Sequence, residues 1–416
     1  MNLSRRGALA ATAAGAAAIT ATLAQAASFG NPDLPPQGAA NVTDPRALAI
    51  PGPHDAGPAE AEPAFLDPPA TDVGSSPQFW ASFNLARRRI QDGGWGRQVT
   101  QADFAISSEI AGVNMRLSAG GIRELHWHQQ AEWAIMTYGA CRVTVLDAQG
   151  RPYVADVKEG DLWYFPPGLP HSLQGLGPDG AEFVLAFDNG VSSEFNTLLA
   201  TDWMAHTPPE VLEKNFGAPA EAFKNIPLQS RWIFQGKVPG PLKEAEAAMA
   251  SGAGAPEFPF TFSLAGAPKI TDNRGGFLQV ADSANFHVAK NVAAGLATIR
   301  PGAMRTMHWH PNADEWQYYL KGTGRMTIFN AGPSANTATF RPGDIGYVKK
   351  GLGHYIENTG DSDLVMVAVF RSPRYEEVSF ADWLAHSPPE MVAATFNLEP
   401  ETVARFPKNN PAFMPE

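Results

Sequence analysis

The sequence repeats itself once, and this repeat limits the possible folds more than any other feature. The run 123–128 (RELHWH) recurs in the second half of the chain as 305–310 (RTMHWH). Farther on, 202–210 (DWMAHTPPE) recurs at a nearly equal separation as 382–390 (DWLAHSPPE). Self-similarity over such a distance indicates one structural unit built twice, so we predict two homologous domains of about 180 residues each.

Each copy consists of short β-branched or aromatic runs that end in turn residues, which is typical of β-strands. The clearest runs are 143–146, 162–165, 326–329 and 345–348, and a helical stretch follows at 209–216 and 389–396. Charged residues are only 18% of the chain, whereas Gly (39) and Pro (36) are frequent, a composition that favours turns. The pattern predicts an all-β protein of two tandem barrels with short helical appendages.

The N-terminus is typical of a targeting signal. Arg5-Arg6 precede an apolar run, 7–24, and then Ala24-Gln25-Ala26, which matches a charged region, a hydrophobic region and a cleavage site. The adjacent arginines resemble a bacterial twin-arginine signal. We predict that 1–26 is removed and that the protein is exported to the periplasm or secreted. A retained N-terminal anchor is the alternative.

The segment 27–77 contains 11 prolines in 51 residues and cannot bury enough apolar surface to fold alone. It is either a disordered linker or an arm that packs on a neighbouring subunit. After this arm we place the first domain at 78–232, the second at 233–400 and a C-terminal tail at 401–416.

Charge and cysteine content exclude several classes of function. The net charge is −11 and no basic stripe occurs, which argues against nucleic acid as a partner. After the signal no uncharged stretch is long enough to span a membrane. The single cysteine, Cys141, excludes an internal disulfide framework and a thiolate-rich metal site.

Six of the ten histidines lie in the repeated motifs and suggest two metal sites. Residues i and i+2 of a strand face the same side, so each His-x-His pair can point inward together. A glutamate follows, and a third histidine comes after it at the same spacing in both copies. The candidate ligands are His126, His128, Glu132 and His171 in the first copy and His308, His310, Glu315 and His354 in the second. Three imidazoles and one carboxylate suit Mn or Fe, and they are also compatible with Zn or Cu.

A single His-x-His pair would be a satisfied core pair more often than a metal site, but repetition of the whole set favours metal. His206 and His386 also repeat, and we interpret them as contacts at helix ends. His54 and His287 have no informative context. Trp127 and Trp309, between the ligands, face the other side of their strands and are expected to pack.

Several motifs resemble the bicupin oxalate decarboxylases. The resemblance lies in 120–128 with Glu132, in 160–171, in 301–319 and in 351–358, and it extends from about Leu66 to the C-terminus. It implies two cupin barrels with one Mn each, a homo-oligomer (trimer or hexamer), and conversion of oxalate to formate and carbon dioxide. It also implies that dioxygen is needed as a co-catalyst.

The two copies differ where that family has its lid. The loop between Phe187 and Asp202 in the first copy is longer than the loop between Phe370 and Asp382 in the second. The longer loop carries 193–197 (SEFNT), which resembles the five-residue lid of that family. The resemblance implies that Glu194 shuttles a proton. Phe195-Asn196 depart from the residues that the family usually has at these two positions. The family usually has a further glutamate in its second cupin, and the corresponding residue here is Ala368. This difference implies that the second metal site supports the structure and does not carry the chemistry.

Arg123, and Arg305 in the second copy, can direct a guanidinium at a substrate carboxylate, which would help an acidic protein to attract an anion. Because the second copy has Ala368 and a shortened loop, chemistry is expected at the first site. An oxalate oxidase, which releases peroxide, is the nearest alternative, and Glu194 favours the decarboxylase. A bicupin dioxygenase for aromatic substrates fits the paired arginines less well, and a non-catalytic storage bicupin does not explain two intact ligand sets.

Overall fold

The computed structural model describes residues 49–332, 334–409 and 411–416. The predicted signal and the beginning of the arm lie outside these residues. Within them, no helix is long and apolar enough to cross a membrane. Strands dominate, and helices are short and peripheral.

The first strand, β1 (Trp80–Ser82), is followed by a barrel formed from one sheet of twelve strands. These are β2 (Arg89–Gln91), β3 (Gly94–Val99), β4 (Ala111–Leu117), β5 (Gly121–Trp127), β6 (Glu132–Leu146), β7 (Pro152–Lys158), β8 (Asp161–Phe165), β9 (His171–Gly175), β10 (Ala181–Phe187), β11 (Leu198–Leu199), β12 (Ile233–Gln235) and β13 (Thr261–Ser263). β6 is 15 residues long and pairs with β8 and β10 at one end and with β7 and β9 at the other, which nearly closes the sheet.

The second barrel consists of a seven-stranded and a six-stranded sheet. Its strands are β14 (Lys269–Asn273), β15 (Gly276–Ala281), β16 (Ala293–Ile299), β17 (Met304–Trp309), β18 (Glu315–Lys321), β19 (Gly324–Asn330), β20 (Ser334–Phe340), β21 (Asp344–Val348), β22 (Gly353–Asn358), β23 (Leu364–Phe370), β24 (Val378–Ser379) and β25 (Phe413–Met414). All the strand pairs are antiparallel, as in a barrel made of hairpins and longer crossings. The predicted all-β architecture of two tandem barrels is confirmed.

Helices lie at the ends of the barrels and in the segments between them. They are Ala56–Ala61, Pro63–Leu66, Ala200–Ala205, Pro209–Phe216, Leu242–Met249, Phe380–Ala385, Pro389–Phe396 and Pro400–Val403. The two predicted helical stretches form, and each begins with a proline, whose missing N–H costs nothing in the first turn. His206 and His386 cap the preceding helices and bond the Asp202 and Asp382 carbonyls through Nδ1 at 2.7 and 2.9 Å.

Strands at the borders of the two predicted domains cross between the barrels. β1 comes first in the chain but pairs with β21 of the second barrel. β12 and β13 follow residue 232 but pair with β5 and β8 of the first barrel. β25, in the predicted tail, does not cross, since it pairs with β17 and so extends the second barrel. The two barrels are thus tied together by main-chain hydrogen bonds as well as by side chains.

The described part of the arm packs on the second barrel of its own chain, whereas the sequence suggested either a disordered linker or an arm on a neighbouring subunit. The Asp72 carboxylate accepts hydrogen bonds from the Thr337 backbone at 2.8 Å and its hydroxyl at 2.7 Å, and the Glu62 carboxylate accepts one from the Thr339 N–H at 2.7 Å. Both carboxylates are buried. These bonds satisfy the outer edge of β20, which explains how a proline-rich segment can be held without a core of its own.

Apolar side chains fill each barrel and the contact between them. Trp163 and Phe183 pack edge to face in the first barrel, with ring centroids 5.1 Å apart. In the second barrel Tyr319 stacks on Phe340 at 4.5 Å. Between the barrels a Cβ on Gly112 would lie 2.6 Å from the Trp316 ring, so only glycine permits this close approach.

Candidate metal centres

The first cluster of predicted ligands lies inside the first barrel. His126 is in β5, His128 follows it, Glu132 begins β6 and His171 begins β9. All four side chains are buried, and their ligand atoms lie within 4.8 Å of one another. One Glu132 oxygen is 3.1 Å from His128 Nε2 and 3.3 Å from His171 Nε2. The structure therefore brings the four predicted residues to one point.

The opposite ring nitrogens hold these imidazoles in place. His126 Nδ1 bonds the Glu124 carbonyl at 2.5 Å, and His171 Nδ1 bonds the Leu169 carbonyl at 2.8 Å. A carbonyl only accepts, so each Nδ1 carries the proton and each Nε2 presents a lone pair to the cluster. This is the tautomer that a metal requires.

The second cluster repeats this arrangement. The ligand atoms of His308, His310, Glu315 and His354 lie within 4.8 Å of one another, and all four residues are buried. Main-chain carbonyls bond all three Nδ1 atoms: that of Thr306 for His308, Glu376 for His310 and Leu352 for His354. The predicted second ligand set is thus also assembled.

Both clusters fit a divalent cation. Burial lowers the pKa of His128 to about 4 and that of His126 well below its usual value, so both rings are neutral. Burial opposes the charge on Glu132, but the surrounding imidazoles outweigh it and hold the pKa of Glu132 below its usual range. In the second cluster one oxygen of Glu315 lies 2.9 Å from His354 Nε2 and 3.3 Å from His310 Nε2. These three buried atoms make no hydrogen bond of good geometry with each other or with other described residues. A metal ion would satisfy these atoms.

A β-bulge directs an arginine into each barrel. Residues three apart on a regular strand face opposite sides, so Arg123 should point away from His126. The pairing of β5 with β9 shifts by one residue between them, and the pairing of β17 with β22 shifts in the same way between Arg305 and His308. The extra residue on β5, and likewise on β17, turns the arginine side chain back toward the inside of the barrel. Both arginines are consequently buried and line the cavities at the metal ligands.

Neutral groups hold the Arg123 side chain in place, so its positive charge remains available to the cavity. Its Nη1 donates to the Trp232 carbonyl at 3.3 Å, its Nη2 donates to the Thr197 hydroxyl at 3.1 Å, and the guanidinium lies 5.3 Å from the Trp232 ring centroid. Burial lowers the pKa of Arg123 to about 10, although Glu194 opposes this shift. The arginine is therefore a cation at neutral pH in a site of low polarity.

Glu194 forms part of the wall between the metal cavity and the exterior. It lies in the predicted lid, 193–197, at the start of the 3₁₀ turn Glu194–Asn196, and it is only 3% exposed. Glu194 lines the cavity at the ligands and also a cleft of about 780 Å³ on the outer side. It accepts a hydrogen bond from Arg89, and the lid is fixed to β3 because Ser193 Oγ and the Glu194 N–H donate to Gln98 at 3.0 and 3.1 Å. This is the position of an acid that can reach both the site and water.

Among the described residues, none provides such an acid in the wall of the second cavity. Ala368 stands there, and Tyr375 lines the cavity in the shorter loop. Arg305 donates to the Ala412 carbonyl at 2.9 Å, to the Tyr375 hydroxyl at 3.1 Å and to the Glu377 carboxylate. Burial alone would lower the pKa of Arg305, but Tyr375 and Glu377 outweigh it and raise that pKa. The two arginines thus occupy similar places in different electrostatic surroundings.

Sequence reasoning did not identify Arg89, Trp232, Tyr375 or Glu377. Arg89 is 105 residues from Glu194 and belongs to no repeated motif, so only the tertiary fold could reveal this pair. Glu377 could have been noticed, because it takes the place of Thr197 when the repeated runs 202–210 and 382–390 are aligned. Trp127 and Trp309 pack outside the clusters, on Trp203 and Trp383 at 5.7 and 5.9 Å, as expected.

Two barrels that each enclose three histidines and one glutamate define a metal-binding protein with two cupin-type sites. The sequence profile of the cupin family matches residues 82–223 and 262–404. The chain is 47% identical over 336 residues to the oxalate decarboxylase OxdC of Bacillus subtilis, spanning 81% of this chain and 86% of that protein. It is 37% identical over 343 residues to a probable oxalate decarboxylase of Arthroderma benhamiae, spanning 82% and 84%.

Solved structures agree with these sequence matches. Oxalate decarboxylase from B. subtilis at pH 4.6 superposes with a TM-score of 0.86 and 42% identity, over 91% of this chain and 97% of that one. Another structure of the B. subtilis enzyme, from a study of its Mn(II) centres, superposes with a TM-score of 0.87 over 92% and 100%. The chain belongs to the bicupin oxalate decarboxylase family, as its motifs indicated.

Proposed function

We propose that this protein is a manganese-dependent oxalate decarboxylase that converts oxalate to formate and carbon dioxide at its first metal site. The observation that carries the proposal is the grouping of three elements in one small cavity: a His₃Glu ligand set, the Arg123 guanidinium and the Glu194 carboxylate. The B. subtilis relative, at 47% identity, is named for this activity, and one of its structures comes from work on its Mn(II) centres.

Arg123 binds and orients the substrate. Its guanidinium can donate to one carboxylate of oxalate while the other carboxylate lies at the metal ligands. The Trp232 and Thr197 contacts restrict its rotation, so little conformational entropy is lost when the anion binds. His126, His128, Glu132 and His171 would hold a manganese ion, which would supply the redox and Lewis-acid chemistry needed to weaken the oxalate C–C bond.

Glu194 moves the proton. Oxalate loses carbon dioxide and leaves a one-carbon unit that needs a proton on carbon to become formate. The Glu194 carboxylate accepts a proton from bound hydrogen oxalate and returns it to that carbon, as a general base and then a general acid. The Arg89 contact on the outer side holds the carboxylate in the lid, which excludes water while the proton is transferred. Dioxygen as a co-catalyst is part of this proposal.

Glu194→Ala tests the mechanism. We expect formate production to fall by about 10²–10⁴-fold, the usual contribution of a positioned acid or base, while two metals per chain are retained. Ser192→Ala, in the same loop, is the matched control and should stay near the wild-type rate. Unchanged formate production by Glu194→Ala would remove this residue from the mechanism.

The oxidase alternative is separated from the decarboxylase by the product. A decarboxylase yields formate without net oxygen consumption, whereas an oxidase yields peroxide and two carbon dioxides from each oxalate. Measuring formate, peroxide and oxygen uptake on the same sample distinguishes them. The relatives with this two-barrel architecture are named decarboxylases, which favours the first outcome.

We also propose that the chain assembles into a trimer or hexamer of identical copies. Each barrel exposes the same apolar surface: Leu125, Trp203, Val211 and Phe216 on the first, and Met307, Trp383, Met391 and Phe396 on the second. A soluble monomer rarely leaves two such surfaces uncovered. Sedimentation analysis of the wild type and of Trp203→Arg tests this, since a charge in a buried interface should dissociate the assembly.

Export remains a proposal from residues 1–26. The twin-arginine route carries folded proteins, so a metal can be loaded before export. Replacing Arg5-Arg6 by lysines should retain the protein in the cytoplasm, and the N-terminal sequence of the exported form identifies the cleavage site.

A further inference from the structure

Arg123 and Arg305 are each held by one main-chain carbonyl and by one side chain on the loop before a short strand, and the type of that side chain differs between them. Nη1 of Arg123 donates to the Trp232 carbonyl, and Nη1 of Arg305 donates to the carbonyl of Ala412, which aligns with Trp232 in the repeat. Nη2 of Arg123 donates to the hydroxyl of Thr197. Nη2 of Arg305 donates instead to the carboxylate of Glu377.

Thr197 and Glu377 are equivalent positions in the fold. Each directly precedes a two-residue strand, β11 or β24, that pairs with the strand carrying the His-x-His motif. The exchange therefore changes the charge beside the arginine and leaves the backbone arrangement unchanged. Thr197 is neutral, so the hydroxyl that Arg123 contacts does not offset its charge. Glu194 has the largest opposing influence on Arg123, but its carboxylate is itself paired with Arg89. Glu377 is an anion fixed next to Arg305.

The Arg305–Glu377 pair is buried and reinforced. The side chains are 5% and 11% exposed, and the Tyr375 hydroxyl donates a second hydrogen bond to the Glu377 carboxylate. A buried ion pair of this kind has little net charge with which to attract a further anion. The ligand sets of the two metal sites are identical in type, so the sites differ in the carboxylate near the arginine. At the first site this is Glu194, which is itself paired with Arg89. At the second it is Glu377, which is bonded directly to Arg305.

The remaining lining of the second cavity gives no substitute cation. Apart from the ligands, Arg305 and Tyr375, its walls are apolar and include Ala297, Met366 and Phe370. A dianion or monoanion entering this cavity would lose its hydration and meet an arginine that is already neutralised.

We propose that residue 377 decides which metal site accepts oxalate: the Glu377 carboxylate neutralises Arg305, so the second site holds its metal but does not bind the substrate. Thr197 is the permissive counterpart at the first site. This inference rests on the proposed function, because it assumes that Arg123 binds oxalate there.

Titration calorimetry of the manganese-loaded protein with oxalate, without dioxygen so that turnover is suppressed, tests the inference. The variants are Glu377→Thr, which copies the first site, and Glu377→Gln, which removes the charge and keeps the shape. Each is also made with Arg123→Met, which disables the first site. Metal analysis of every sample establishes that two ions per chain are present.

The expected stoichiometry is one oxalate per chain in the wild type and two in Glu377→Thr. Arg123→Met should bind none, and Arg123→Met with Glu377→Thr should bind one. The reverse exchange, Thr197→Glu, should weaken binding at the first site by about tenfold or more, because a buried carboxylate then faces the anion.

The outcomes separate this inference from the function on which it rests. A wild type that binds two oxalates overturns the role of Glu377 and leaves the decarboxylase proposal standing. A single oxalate in both Glu377 variants, with both metals present, also overturns it. A wild type that binds no oxalate removes the proposed function itself.

Discussion

Gly96→Ala is a small substitution that should separate catalysis from stability. Gly96 lies in β3 behind the lid, and a Cβ built on it would be 3.0 Å from one Glu194 carboxylate oxygen and 3.3 Å from the other. Ordinary contact between such atoms begins near 3.4 Å, so the carboxylate must move away by roughly 0.4 Å. The backbone there is compatible with alanine, since Gly96 does not have a positive φ.

This displacement converts into an effect on rate. A misplacement of about 1 Å costs roughly 10²-fold in a positioned catalytic group, so about 0.4 Å should reduce kcat for formate roughly fivefold to tenfold. The free energy of unfolding should be unchanged or should rise by up to about 1 kcal/mol, because glycine in a strand is less favourable than alanine. The assays are steady-state formate production and thermal unfolding on the same preparation.

Gly360→Ala is the control for the glycine-to-alanine exchange itself. A Cβ on Gly360 would meet its nearest neighbour at 3.5 Å, an ordinary contact, far from either lid or ligand set. The Gly360→Ala variant should retain the wild-type kcat. If Gly96→Ala kept kcat within about twofold of this control, the idea that Glu194 must lie at the cavity wall would be refuted.

Three further predictions concern stability and reactivity. Burial raises the pKa of Glu62 to about 7, so its protonated form favours docking of the arm. This stabilisation is full below about pH 4.5 and is lost as the pH rises through about 7. Glu62→Gln, which is neutral at every pH, should remove this pH dependence, and hydrogen exchange of 56–73 at pH 5 and 8 measures the difference. Equal exchange in the wild type at both pH values, after correction for intrinsic rates, would contradict it. Glu315→Ala should leave one metal per chain and lower Tm while formate is still produced at the first site, and metal analysis that still finds two ions would argue against Glu315 as a ligand. Burial raises the pKa of the Cys141 thiol far above its usual value, so a thiol reagent should not modify the native protein and should react only after unfolding; rapid modification of the native protein would be the opposing result.

The metal ligands could be predicted because their chemistry follows from local periodicity. His126 and His128 face one side of a strand at any register, and the repeat of the whole set identified the third histidine and the glutamate. The neutral tautomer could not be predicted, since it depends on carbonyls such as that of Leu169.

The arginines show the limit of such reasoning. The sequence placed Arg123 near the metal, but strict alternation would direct it outward, and only the β-bulge in the pairing of β5 with β9 brings it inside. A bulge depends on how two strands meet, and a single strand does not reveal it. The same holds for the arm, whose carboxylates find their partners on β20, 265 and 277 residues away.

By itself the sequence predicted the two-barrel architecture and the eight candidate ligands, because these follow from a repeat and from residue types at short spacing. Its resemblance to a known family indicated the family and implied the role of Glu194. Only the tertiary structure decided which charges meet. Arg89 reaches Glu194, Glu377 neutralises Arg305, and strands at the domain borders cross between barrels. These are contacts between distant segments, and their energies depend on burial and distance, which local sequence does not encode.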